Sequence, residues 1–194
     1  GAFGTKLDVI GTAFWLKDHK ILITCAHVVQ NLVGAPIEIT GLLALGNRGS
    51  YTQAIVDCMD FAHDLAISRI TDEGQISQIE ADGVTLADSV PAIGTNVAYA
   101  GFPLGIQLMG ANHTPSYCEG TIGSGVHRNG SRKEIQISGA VVGGYSGAPI
   151  VAVDNPTKVI GVVSNSPSDD ARQASIFRGI SVEHIIALAN LSIS

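Results

Sequence analysis

The sequence predicts an all-β protein that ends in one α-helix. Three observations predict it. Apolar, β-rich segments about four to eight residues long recur along the 194-residue chain, each bounded by turn residues. The 23 glycines and 7 prolines fall largely between those segments, as tight turns require. Apolar residues at helical spacing appear clearly once, after Ser181.

The elements follow in order. Val9 to Leu16 alternates around Gly11 and Phe14, and Lys17-Asp18-His19-Lys20 turns the chain into Ile21 to Thr24, so the two segments form a hairpin. Pro36 to Thr40, Thr52 to Cys58 and Leu65 to Ile70 read as further strands. Thr71 to Pro91 is polar and acidic, with Asp72, Glu73, Glu80 and Asp82, and reads as a connector over the surface. A second set runs through Asn96 to Phe102, Tyr117 to Ile122, Glu134 to Ser138, Ala148 to Val153, Val159 to Ser164 and Ser175 to Ile180. Asp154-Asn155-Pro156-Thr157-Lys158 supplies a hairpin turn between two of these. Ser181 stands where an N-cap belongs, before a helix that buries Val182, Ile185, Ile186 and Ala189 on one face.

Composition narrows the function classes. Hydrophobic residues are 45% and charged residues 14%, which describes a globular chain with a large core. At this length about 70% of the unfolded surface can be buried, so no staple is needed. The net charge of −6, with 11 Lys plus Arg, argues against a nucleic-acid partner. The densest positive stretch, Arg128-Asn129-Gly130-Ser131-Arg132-Lys133, reads as a solvated hairpin tip. No apolar run reaches membrane-spanning length, and Ile185 to Ile193 is interrupted by Asn190, so no membrane partner is expected. Cys25, Cys58 and Cys118 are too few for a disulfide framework and read as reduced, buried thiols. No signal-peptide pattern is visible. Together these lean towards a cytoplasmic setting.

Three stretches hold the chemistry. In Gly144-Tyr145-Ser146-Gly147-Ala148-Pro149, the glycines permit a tight turn that exposes the Ser146 hydroxyl. The same turn converges the N–H groups of Gly144 and Ser146 into an oxyanion hole. His27, in Thr24-Cys25-Ala26-His27-Val28-Val29, follows a strand and precedes apolar residues, a placement that suits a general base. Asp64 heads the apolar Leu65-Ala66-Ile67, and a buried acid there needs a partner such as an imidazole N–H. Asp57 and Asp60 are rivals in a more polar stretch. A serine nucleophile, a histidine base and an orienting carboxylate make a nucleophilic hydrolase that needs no cofactor.

The order His27, Asp64, Ser146 and the local sequences resemble the chymotrypsin-like (trypsin-fold) serine peptidases, closest to the HtrA/Deg-like and related bacterial branch. Gly11-Thr12-Ala13-Phe14, Gly101-Phe102-Pro103-Leu104-Gly105 and Gly161-Val162-Val163-Ser164 extend the likeness in the family's order. The resemblance implies two antiparallel six-stranded β-barrels with the site in the cleft between them, plus the C-terminal helix. It implies one peptidase domain over residues 1–194, with the His and Asp in the barrel of 1–85 and the Ser in that of 86–194. It further implies that Ser164 hydrogen-bonds the aspartate and begins the strand that pairs with a protein or peptide substrate. Two features depart from the family. Ala148 replaces a frequent glycine, and the Ile-Val-Gly-Gly segment of cleavage-activated members is not seen.

Specificity follows from the same likeness. The segments expected to line the primary pocket are Ser138-Gly139-Ala140-Val141-Val142 and Ser164-Asn165-Ser166. Ala140, Val141, Ser164, Asn165 and Ser166 are the candidate substrate-binding residues. They offer no carboxylate, so small or medium apolar P1 residues are expected, unless Asp169-Asp170 folds inwards and favours basic ones.

Other sites were weighed. Cys25, His27, Cys58, His63 and Cys118 have zinc-ligand chemistry, but the C-x-H spacing matches no finger or ribbon, and no metal is expected. Gly120-Thr121-Ile122-Gly123-Ser124-Gly125 lacks the Lys-Ser/Thr of a P-loop and reads as strand and turn. His113 and His127 read as solvated, and Trp15 as core. The alternative to an active peptidase is a catalytically silent, protease-fold binding protein.

Overall fold

The computed structural model describes residues 10–30, 39–43, 50–71, 74, 76, 83–103, 115–164 and 176–191. It is mostly β, as the sequence predicts. In the first half, β1 (Phe14–Leu16), β2 (Ile21–Thr24), β3 (Ile39–Leu43), β4 (Ser50–Asp60) and β5 (Leu65–Ile70) form an antiparallel sheet in the order β1-β2-β5-β4-β3. The hairpin register pairs Phe14 with Ile23 and Leu16 with Ile21. Side-chain alternation then puts Phe14, Leu16, Ile21 and Ile23 on one buried face.

The second half closes on itself. β7 (Asn96–Gly101), β8 (Ser116–Asn129), β9 (Arg132–Gly139), β10 (Pro149–Ala152), β11 (Asn155–Ser164) and β12 (Ile176–Ser181) pair in the order β10-β7-β8-β9-β12-β11. β10 also pairs with β11, which completes a six-stranded barrel and leaves it no open edge. Register shifts after Ile122 and Ser124 let the long β8 bend around that barrel.

Several boundaries differ from those expected. β8 runs on through Gly123 to Asn129, because its bulges absorb the glycines instead of ending the strand. β11 begins at Asn155, paired with Ala152, so the turn is shorter than the sequence implied. The connector holds a short strand, β6 (Thr85–Leu86), which pairs in parallel with β11. Val84 also exchanges hydrogen bonds with the first sheet, donating to Trp15 O at 3.0 Å and accepting from Lys17 N at 3.1 Å. The connector is thus laced to both halves by backbone groups, which its polar side chains do not reveal.

The terminal helix, α2 (Val182–Leu191), follows β12 directly. Ser181 does not cap it: the residue is still paired with Gly161, and its buried hydroxyl makes no hydrogen bond among the described residues. Val182, Ile185 and Ala189 are fully buried in one cluster with Phe14, Ile23 and Leu65 of the first half and Val162 and Ile180 of the second. The apolar core therefore runs without a break from one half to the other. Trp15 is buried in a smaller cluster with Leu22, Ala54 and Ile70. Among the described residues, no helix is long and apolar enough to cross a membrane.

The start of α2 carries a titratable contact. Lys133 N–H donates to His184 Nε2 at 2.7 Å, and the ring stacks on His63 with centroids 3.9 Å apart. Burial first, then the neighbouring His63 and Lys133, lower the His184 pKa below its ordinary value, against the opposing pull of Asp60 and Glu183. A depressed folded pKa means that the folded state binds fewer protons than the unfolded one. The contribution is whole above about pH 6.5 and is lost as pH falls through the folded value. Denaturant midpoints should therefore drop more steeply below about pH 6.5 in the wild type than in His184→Gln. Parallel profiles for the two proteins would rule this out.

Candidate active site

The histidine and aspartate are brought together by the two ends of β2 and β5. Thr24 closes β2, and the chain turns at once into a one-turn helix, α1 (Ala26–Val29), which carries His27. Asp64 precedes β5 with φ 57, a left-handed conformation that a short polar side chain tolerates best after glycine. Ala26 N–H donates to Asp64 O at 3.2 Å and fixes the two segments side by side.

The Asp64 carboxylate then grips one residue twice. His27 N–H donates to Oδ1 at 2.9 Å, and His27 Nδ1 lies 2.9 Å from both Oδ1 and Oδ2. With Nδ1 as the donor, Nε2 is the unprotonated nitrogen of the neutral ring. The Ser164 hydroxyl donates to Asp64 Oδ2 at 2.8 Å. Burial raises the Asp64 pKa, but the hydrogen bonds and charge of His27 and the Ser164 hydroxyl outweigh it, so the pKa lies below the ordinary value. The His27 side chain is 35% exposed and that of Asp64 15%. The rivals are engaged elsewhere: Asp57 with Arg69, and Asp60 with His63.

The serine loop is held by its backbone. Thr12 N–H donates to Ser146 O at 2.8 Å, and Thr12 Oγ1 donates to Gly144 O at 2.7 Å. Thr12 O in turn accepts from Thr24 Oγ1 at 2.7 Å, three residues before His27. A Cβ on Gly11 would stand 2.7 Å from Val28 and 3.1 Å from Ser146 O, so the serine loop and the histidine helix meet across that glycine. On the other side, Gly147 N–H donates to Val163 O at 2.9 Å. Gly144 and Gly147 both have positive φ, +101 and +89. The N–H groups of Tyr145, Gly147 and Ala148 all have backbone acceptors. Among the described residues, those of Gly144 and Ser146 have none. The His27 ring is hydrogen-bonded to Asp64, and no hydrogen bond joins it to Ser146 among the described residues.

The remaining candidates are spread around this centre. Ala140 is exposed and its carbonyl accepts from the Tyr99 hydroxyl, while Val141 packs partly against the barrel core. Ser164 is buried, with its proton committed to Asp64. Asn165, Ser166, His113, Asp169 and Asp170 lie outside the described residues. Of the zinc-type set, only Cys25 stands with His27, and the third group within reach is Asp64. Burial, then the Asp64 charge, pushes the Cys25 thiol well up, so a thiolate ligand is disfavoured there. His127 is exposed on β8.

Two residues that the sequence did not single out are prominent. Thr12 uses its N–H, hydroxyl and carbonyl to join the serine loop to the first sheet. Arg132, expected at a solvated tip, turns inward and donates to Ser164 Oγ at 2.6 Å. Only the inward geometry distinguishes it from Lys133, which pairs with Glu183 at 2.5 Å.

The chain was compared with known proteins. The family model described as a trypsin-like peptidase domain matches residues 11–162. No curated protein matches the chain by sequence. The HtrA-type protease AlgW, in a structure with a decapeptide, is similar with TM-score 0.68 and 20% identity, over 93% of this chain and 50% of that one. This chain thus spans about half the length of that relative. The Rv3671c protease of M. tuberculosis in its active form gives TM-score 0.66 and 19% identity, over 91% of this chain and 70% of that one. An inactive form of Rv3671c, with serine replaced by alanine, gives TM-score 0.66 and 18% identity, over 95% and 82%. At these identities the structures speak for the fold, and the family model speaks for the lineage: the chain belongs to the trypsin-like peptidase domain family.

Proposed function

We propose that the protein is a serine endopeptidase, one domain over residues 1–194, that cleaves peptide bonds through His27, Asp64 and Ser146. The observation that carries this reading is the double grip of Asp64 on His27, with Ser164 beneath it. That grip fixes the tautomer and leaves Nε2 to take the Ser146 proton. Ser146 Oγ attacks the scissile carbonyl carbon, and the resulting oxyanion is held by the N–H groups of Gly144 and Ser146, which have no other acceptor among the described residues. Collapse expels the amine, which leaves with the proton from His27. Water then attacks the acyl-enzyme with His27 again as base, and Ser146 is restored. AlgW was solved with a decapeptide, which supports a peptide as the ligand class; in this chain the substrate would lie beside the end of β11 as an added strand.

A fluorophosphonate or sulfonyl fluoride probe tests the reading. Stoichiometric labelling at Ser146, located by peptide mass mapping, is expected. A folded protein that takes no label at any pH from 6 to 9 would instead be a silent binding protein.

Specificity rests on the same reading. Among the described residues, the candidate pocket residues Ala140, Val141 and Ser164 carry no side-chain charge, and the Ser164 hydroxyl is already used. Cleavage after Ala, Val or Leu is therefore expected in a mixed peptide library. Dominant cuts after Lys or Arg that vanish in Asp169→Ala or Asp170→Ala would reverse this assignment.

A further inference from the structure

We propose that Arg132 is a positioning residue that sets the pH at which the His27–Asp64 pair works as a base. This rests on the peptidase reading above. Arg132 is the first residue of β9, next to the Gly130 turn, where a charged side chain would ordinarily run into water. Instead its side chain is only 19% exposed. One guanidinium nitrogen donates to Ser164 Oγ at 2.6 Å and stands 3.8 Å from Asp64 Oδ2. Its Nε lies 3.2 Å from Glu134 Oε1, although not aligned for a hydrogen bond. The other Glu134 oxygen is 3.1 Å from Arg178, whose side chain is exposed. Charges therefore alternate from the site to the surface: Asp64, Arg132, Glu134, Arg178.

Two effects follow. Ser164 has one proton, and Arg132 occupies a lone pair of its oxygen. The hydroxyl proton is thereby directed at Asp64, which keeps the carboxylate in place under His27. The second effect is electrostatic. Asp64 alone favours the charged imidazolium, which is not a base. A fixed positive charge beside Asp64 opposes that preference and keeps the ring neutral to lower pH. The other groups around the pair do not reproduce this. Cys25 is a neutral thiol, held so by burial and by Asp64. Asp60, at the end of β4, and His63, on the turn before Asp64, are bound to each other. Glu134 faces Arg132 from its own strand and offsets part of its charge.

The test compares wild type, Arg132→Met, Arg132→Lys and the double variant R132M/E134Q. The double variant leaves no buried glutamate short of a partner and serves if Arg132→Met does not fold. Two profiles are recorded against pH: the rate of fluorophosphonate labelling, and the ¹⁵N titration of the His27 ring by NMR. In Arg132→Met both midpoints are expected to move up by about half a pH unit to one unit relative to wild type. The double variant should show a smaller shift in the same direction. Arg132→Lys should restore most of it, since charge is the cause. A merely structural arginine would lower the labelling rate at every pH and leave both midpoints where they are, and that result overturns the proposal. So does a midpoint that Arg132→Lys fails to restore. The NMR profile needs no turnover. Wild type that resists the probe while the ring midpoint still moves would sink the peptidase reading and leave the role of Arg132 standing.

Discussion

Ser146→Ala is expected to lower kcat by about 10⁵–10⁶, because the acyl-enzyme route closes completely. His27→Ala should cost about as much, since a serine without its base is no better than the alanine, and the two losses should not add. Asp64→Asn should cost about 10⁴, by presenting an amide donor to Nδ1 and favouring the wrong tautomer. Asparagine is the right substitute here. Asp64 has φ 57, and Asn accepts that conformation, so the fold survives and the loss can be read as chemistry. Each variant is assayed by kcat against a peptide that wild type cleaves, with denaturant midpoints as the folding control. Full activity in Asp64→Asn, with loss in Asp60→Asn, would move the orienting role to the aspartate that now holds His63.

The second large effect concerns a backbone position. Gly147→Ala should destabilise the protein by about 2–5 kcal/mol, combining left-handed strain of about 1–2 kcal/mol with overpacking of about 1–3 kcal/mol. The residue has φ +89, and a Cβ there would lie 2.0 Å from Thr12 O and 2.5 Å from Thr24 Oγ1. Thr12 O is backbone and cannot swing aside. The turn itself would have to lift, taking Ser146 with it, so activity should fall even in the fraction that folds. Gly143→Ala is the control: its Cβ would meet nothing within 4 Å, and a change under about 0.5 kcal/mol is expected. Urea midpoints measure both. Equal midpoints for the two variants would mean that the serine turn does not sit against Thr12.

The strands and the candidate site were legible in the sequence for different reasons. Strands such as Ile21–Thr24 and Leu65–Ile70 announce themselves because a largely buried β segment is mostly apolar, with Arg69 the exposed exception. His27, Asp64 and Ser146 stood out together: each stretch alone would suit an ordinary turn or core residue, but a histidine, an aspartate and a serine in that order match a nucleophilic site. What stayed hidden depends on distant partners. β6 is held by main-chain pairing, which leaves no mark on side-chain pattern. α1 is four residues long, too short for a period. Thr12 is an ordinary threonine until Gly144, Ser146 and Thr24 close around it. Arg132 and Lys133 are neighbours of similar charge, and only the burial of Glu134 and Ser164 decides which turns inward.

The unbroken core also has a consequence for how the molecule comes into being. On a ribosome the segment with His27 and Asp64 emerges first, but the apolar face of Phe14, Ile23 and Leu65 stays uncovered until Val162, Ile180 and Ile185 are made. Ser146 emerges before all three of those covering residues and gains its Gly147 anchor only when Val163 arrives. The adhesive surface is therefore shielded last, by the end of the second half and the terminal helix, after the Ser146 loop has gained its anchor, and until then it is open to contact with other chains.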